Sequence, residues 1–189
     1  TLIAVFIVFR KTIWELIVCL FKTIGQIFTG KFHFKDTTPM QKMIGFLIIS
    51  LLPLFVIFPF KDAITDFFYN SLLAVGIALM VNSVVLFFCD RFKEGKKTAG
   101  SMKKKDALII GIAQAIAVIP GISRSGSTIT AGVGTGVRRS EAAGYSFILS
   151  IPTILAAVLL DIVDTVKAGK LNTALLPQYF VGFVVAAVV

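Results

Sequence analysis

Apolar runs of near-bilayer length alternate with short polar loops along this chain, and the pattern predicts helices throughout. Residues 2–9 read as the end of a spanning helix closed by Arg10 and Lys11. Residues 12–28 are apolar but carry Glu15 and Lys22, which fits either an interfacial amphipathic helix or a tilted span. Residues 43–60 and 71–89 each approach the roughly 20 apolar residues a bilayer requires, with Pro53 and Pro59 expected to kink or end the first. Residues 107–119 differ: as a helix rising about 1.5 Å per residue they reach about 20 Å, short of a hydrocarbon core of about 30 Å. Pro120-Gly121 breaks that run, a polar stretch follows, and residues 128–137 form a second short segment rich in small side chains, closed by Arg138 and Arg139. Two half-length segments with basic flanks and a polar break predict a re-entrant helical hairpin over about residues 107–137. Beyond it, Ser140 is the expected N-cap, with Glu141 in the first turn, of a helix running to about residue 162 through Pro152. Residues 179–189 begin a return span.

Composition sharpens this reading. Of 189 residues, 57% are hydrophobic and mean hydropathy is +0.91, against roughly 45–50% apolar residues in soluble domains. The expected fold is an all-α polytopic integral membrane protein, one transmembrane domain over residues 1–189. Both ends fall inside apolar runs, and no initiator Met or signal-peptide layout opens the chain, so a piece of a longer protein is expected. The net charge of +9 sits in short loops with no aromatic-interleaved basic stripe, which argues against nucleic-acid binding. The loop over residues 90–105 holds Arg91, Lys93, Lys96, Lys97, Lys103, Lys104 and Lys105 against Asp90 and Glu94, and is expected to be cytoplasmic. The loop with Lys31, Lys35 and Lys42 falls on the same side. The Lys61, Asp62, Asp66 connection, and an outer loop with Asp161, Asp164, Lys167 and Lys170, fall on the other. Cys19 and Cys89 lie far apart in or beside apolar runs, as small packed side chains rather than a disulfide. His33, the only histidine, excludes a multi-histidine metal site and reads as a solvated loop residue.

The chemistry concentrates in Pro120-Gly121-Ile122-Ser123-Arg124-Ser125-Gly126-Ser127-Thr128. An arginine at bilayer depth costs roughly 2.5–3.5 kcal/mol on insertion scales, so it belongs in a polar cavity opposite a negative charge. Gly121 and Gly126 allow backbone N–H groups to converge, the second half-helix presents its positive end, and Arg124 offers a bidentate contact to phosphate oxygens. Ser123, Ser125, Ser127 and Thr128 supply further donors, and such fixed donors also stabilise charge developing during phosphoryl transfer. In a plainer reading the serines satisfy freed carbonyls and Arg124 snorkels to the headgroups, but its position beyond a half-helix is the wrong depth for that. Gln114, on the helix leading to the tip, either reaches the pocket or packs between helices. Acid-phosphatase chemistry is absent, because Thr130 and Gly134 stand where that motif needs histidine and aspartate. A P-loop is absent too, for want of Gly-Lys-Ser/Thr after a strand.

The 120–128 stretch resembles the Pro-Gly-x-Ser-Arg-Ser-x-x-Thr motif of the undecaprenyl-pyrophosphate phosphatase family, also known as the bacitracin-resistance protein family. Gly136-Val137-Arg138-Arg139 and Tyr145-Ser146-Phe147-Ile148-Leu149-Ser150-Ile151-Pro152 resemble its next helix, and the specific likeness covers about residues 114–161. The resemblance implies a multi-pass enzyme of the bacterial plasma (inner) membrane that removes the terminal phosphate from undecaprenyl pyrophosphate, recycling the lipid carrier of cell-wall synthesis. It implies an inverted-repeat fold, of which this chain would hold about one and a half repeats. In the site, Arg124 would hold phosphate, with Ser125 beside it in the catalytic group and Gly121, Ser123, Gly126, Ser127 and Thr128 binding substrate.

The family's second motif, Glu-x-x-x-Glu followed by Pro-x-Ser-Ser and a histidine, does not occur here and would precede Thr1. With it would lie the ligands of the implied divalent cation, Mg or Ca, so no metal ligand is expected in this stretch and the stretch alone is expected to be inactive. Glu141 reads as a first-turn helix residue rather than a base, and Asp161 and Asp164 as outer-interface residues. The partners implied are a polyprenyl pyrophosphate lipid and the membrane, with a homodimer as a candidate assembly. A transporter or flippase that uses the hairpin as an anion site is the competing expectation.

Overall fold

The computed structural model describes residues 2–28, 37–167 and 176–188. The expectations placed on Lys31, His33, Lys35 and Lys170 lie outside the described residues. Helix α1 (Leu2–Val8) meets α2 (Arg10–Phe28) at Phe9, whose N–H donates to Val5 O at 2.9 Å and whose carbonyl accepts from Ile13 N at 2.8 Å. Arg10 and Lys11 therefore open a second helix instead of ending the first. No proline or glycine stands at the junction to break the ladder.

Helix α3 (Pro39–Ile57) starts at Thr38, whose hydroxyl accepts from Gln41 N while the Gln41 side chain reaches back to Thr38 N. Pro53 lies inside this helix. Pro59 sits in a short 3-10 turn, Phe58–Phe60, early enough that its missing N–H is not needed. The path continues as α4 (Lys61–Tyr69), so Lys61, Asp62 and Asp66 lie on a helix where a connecting loop was expected. Helix α5 (Leu72–Arg91) follows from a Ser71 cap.

Helix α6 (Lys104–Ile116) and α7 (Arg124–Gly134) form an antiparallel helical hairpin. Helix α8 (Arg139–Lys167) and α9 (Leu176–Val188) complete the described chain. Two boundaries of α8 depart from expectation. Ser140 lies within the first turn of α8 and does not cap it, and α8 continues five residues past 162, carrying Asp161 and Asp164 on the helix.

Pro39–Tyr69, Leu72–Arg91 and Arg139–Lys167 are each long and apolar enough to cross a bilayer. Much of their apolar surface is unburied, Leu72, Leu73 and Met80 being 89, 76 and 73% exposed. Water would penalise that surface, whereas lipid matches it. The chain is an all-α membrane protein, with no strand among the described residues beyond an isolated bridge.

The core forms where α3, α6 and α8 cross. A Cβ on Gly111 would lie 2.5 Å from Ser50 O, so only glycine lets α6 approach α3 this closely. Ser50 donates to Ala107 O at 2.7 Å and accepts from the Tyr145 hydroxyl at 2.8 Å, tying the three helices inside the core. Ser50 and Tyr145 are fully buried, and they satisfy each other.

The base of the hairpin is pinned by the basic loop. Lys97 pairs through its backbone with Gly136 and Arg138, and its ammonium reaches Asp106 at 2.8 Å and Thr135 O at 2.6 Å. One side chain thus joins the start of α6 to the end of α7.

Candidate functional site

At the other end of the hairpin, α6 unwinds through Ala117–Ile119 into Pro120-Gly121. Gly121 takes φ +97°, a conformation that disfavours any side chain, and a Cβ there would come within 3.2 Å of Ala78 on α5. The chain reverses and Ser123 caps α7, its hydroxyl accepting from Gly126 N at 3.1 Å.

Helix α7 starts at Arg124, four residues earlier than expected. The Ser-Arg-Ser-Gly-Ser-Thr run is therefore its opening turns rather than a loop ahead of it. This matters for the donor arrangement. Ser123 N is held by Asn82 Oδ1 at 2.9 Å and Gly126 N by the cap, which leaves Arg124 N and Ser125 N without a protein acceptor among the described residues. Two free N–H groups at the positive end of a helix form an anion-binding position. Gly126 serves a different purpose from Gly121: it is helical, and a Cβ there would meet Leu86 Cδ2 at 2.6 Å, so its smallness lets α7 lie against α5.

Arg124 is half-buried. Its Nη1 donates to Thr153 Oγ1 at 3.1 Å, while Thr153 spends its own proton on Ser150 O at 2.8 Å. Thr153 lies halfway along α8 and Asn82 halfway along α5, so both anchors of the α7 start sit at the midpoints of long apolar helices. No carboxylate pairs with Arg124 among the described residues. A guanidinium with one hydroxyl partner keeps its remaining donors available.

The other predicted residues divide by depth. Ser125 is exposed beside Arg124. Ser127 is buried behind the first turn. Thr128 is buried as well, its hydroxyl shared between Arg124 O at 2.9 Å and Ser146 Oγ at 2.5 Å. Gln114 is packed in the interior of α6, its Nε2 without a hydrogen-bond partner among the described residues, as is Thr130 Oγ1. Asn82 and Thr153 escaped sequence reading. Asn82 carried a signal, as a lone amide within an apolar span. Thr153, one of many hydroxyls, carried none.

Charged residues outside the tip hold the base together. Glu141 accepts from Ala99 N at 2.9 Å and lies 3.5 Å from Arg138, in the first turn of α8 as expected. Arg139 bridges Asp90 and Glu94 at 3.6 and 3.5 Å. Burial works to raise the Asp106 carboxyl, but the Lys103 backbone N–H and the Lys97 ammonium outweigh it and hold it below the ordinary carboxylate range.

A hard divalent cation takes carboxylate oxygens. The tip offers hydroxyls, amides and a guanidinium, and no cluster of three His, Cys, Asp or Glu exists among the described residues. These residues do not by themselves fit the implied cation.

The chain is similar to proteins that carry a name. A protein of Methanosphaera stadtmanae named undecaprenyl-diphosphatase is 38% identical over 183 residues, covering 95% of this chain and 66% of the relative. One of the same name from Parabacteroides distasonis is 40% identical over 162 residues, 85% of this chain and 60% of the relative. Another from Bacteroides fragilis is 39% identical over 187 residues, 96% and 68% respectively. The chain thus spans 60 to 68% of the length of these relatives. The family described as bacitracin resistance protein BacA matches residues 1–189, from the first apolar run through the Arg124 hairpin to the last helix, and the chain belongs to that family.

Proposed function

We propose that the whole protein is a phosphatase of the plasma (inner) membrane, crossing it several times and hydrolysing undecaprenyl pyrophosphate to the monophosphate and inorganic phosphate. The observation that carries this reading is Arg124: a half-buried guanidinium beside two free backbone donors, anchored at the midpoints of two apolar helices. We read the α6–α7 hairpin as re-entrant, because its base joins the basic loop while Ser123 meets α5 only halfway along. Related proteins bear the name undecaprenyl-diphosphatase, which supports a lipid diphosphate as ligand. The transporter reading and the homodimer find no such support.

In this mechanism Arg124 grips phosphate oxygens through its free edge while Arg124 N and Ser125 N meet a further oxygen. Ser125, exposed at the same turn, donates from its hydroxyl. These fixed donors hold the diphosphate and stabilise the charge that builds as water displaces the lipid monophosphate. The acid–base groups, and the proposed divalent cation with its ligands, belong to parts of the whole protein outside residues 1–189.

The test is phosphate release from a polyprenyl diphosphate by the full-length protein and its Arg124→Ala variant. Loss of one transition-state donor of this kind costs about 10²–10³-fold in turnover. Unchanged turnover in the variant, or movement of the lipid without phosphate release by the unaltered protein, would overturn the reading.

A further inference from the structure

We propose that α2 lies in the membrane surface on the basic side of the bundle, its outer apolar stripe in the acyl region and its cations among anionic headgroups. The sequence leaves α2 as a tilted span or an interfacial helix, and the contacts decide between them. Trp14 and Gln26 lie about 18 Å apart along α2, yet both border one cleft with Thr38 and Gln41, less than a helical turn of chain at the α3 start. Gln41 Nε2 reaches Thr23 at 3.2 Å and Gln26 at 3.0 Å. At the other end of α2, Thr12 borders a cavity with Met43, Ala99 and Glu141, which also belong to the base. A spanning helix would run alongside α3. This one crosses its end.

Around its circumference α2 carries three stripes. Ile13 and Leu16 are buried against the bundle. Lys11, Glu15, Lys22 and Gln26 form a polar stripe. Trp14, Ile17, Phe21 and Ile24 form an exposed apolar stripe, Trp14 being 67% and Phe21 70% exposed. An apolar face unburied by protein, turned away from a charged one on a helix lying across a membrane bundle, fits the boundary between headgroups and acyl chains. Charge selects the headgroup. Arg10, Lys11 and Lys22 outnumber Glu15, and the neighbouring loop adds Lys93, Lys96 and Lys103, so an anionic leaflet complements this side. Trp14, with its apolar ring and polar N–H, suits that depth.

Trp14 is the sole tryptophan of the 189 residues, and in the full-length protein the difference from a Trp14→Phe variant isolates its emission. The protein is reconstituted in vesicles of phosphatidylcholine and phosphatidylglycerol carrying brominated acyl chains. Bromines near the headgroup should quench Trp14 more than bromines near the chain ends. Brominated phosphatidylglycerol should quench roughly twofold or more above brominated phosphatidylcholine at equal mole fraction. The triple variant Arg10→Gln, Lys11→Gln, Lys22→Gln should lose that excess and keep the depth profile. Strongest quenching from deep bromines, absence of quenching, or equal quenching by the two headgroups would each overturn the proposal. Phosphate release plays no part in this readout, so the proposal stands or falls separately from the enzymatic one.

Discussion

The Arg124 side chain is held in the orientation its neighbours impose. Thr153 takes one of its donors and thereby aims the remaining edge. Replacing Thr153 with valine keeps the volume but deletes the acceptor of a charged hydrogen bond, a contribution of about 1.5–3 kcal/mol. On the proposed function, the expected outcome is a fall in kcat/KM of roughly tenfold or more in the full-length protein, measured by phosphate release, with Thr153→Ser near the unaltered value. Equal damage from both variants would point to packing instead. The motif itself was legible in the sequence, because an arginine flanked by hydroxyls at a helix break needs a charged ligand to justify its cost. The partners of the motif were not. Thr153 follows Arg124 by 29 residues and Asn82 precedes Ser123 by 41, and no local pattern encodes separations of that size. Thr128, which the sequence also offers as a phosphate donor, has its hydroxyl engaged in the interior with Ser146.

Among the elements, the helix pairs depend on small residues whose need appears only at the crossings. A methyl group at Gly111 would enter the Ser50 backbone, so Gly111→Ala should lower stability by about 1–3 kcal/mol, read as a lower unfolding temperature in detergent. The same substitution at Gly45, where a Cβ meets nothing within 4 Å, should be nearly neutral and serves as its control. The hairpin base is expected to respond to pH through Asp106. The Asp106 carboxyl is held below its ordinary value of 3.8, so its bonds add stability above that value and lose it as pH falls through the folded-state value. An Asp106→Asn variant should be less stable at neutral pH and show a shallower decline below pH 4. An acid decline of unchanged steepness would contradict this role for Asp106. Helix spans were readable at this scale because apolar length sets them, but caps were not. Ser140 has the composition of an N-cap, yet Arg139 already belongs to the helix, with its N–H satisfied by Glu94.

For the whole molecule, the positive loop and the α5 span leading into it predict opposite exposure of two sites. With Cys19 and Cys89 replaced by serine, an impermeant thiol reagent added to right-side-out vesicles should label Asn70→Cys and spare Lys96→Cys until the vesicles are opened. Labelling of Lys96→Cys in sealed vesicles would invert the proposed topology. The 189-residue stretch, purified alone, should release no phosphate, since its described residues lack a carboxylate cluster near Arg124. Hydropathy and charge were sufficient for an all-α membrane protein and a broken helical pair, because lipid and water sort side chains by chemistry one residue at a time. Three-dimensional packing alone established that α7 opens at Arg124, that Asn82 and Thr153 hold its first turn, and that α2 lies across the bundle. Each of these depends on groups remote in sequence meeting in space, and the free energy of such contacts resides in the pair, which neither residue carries alone.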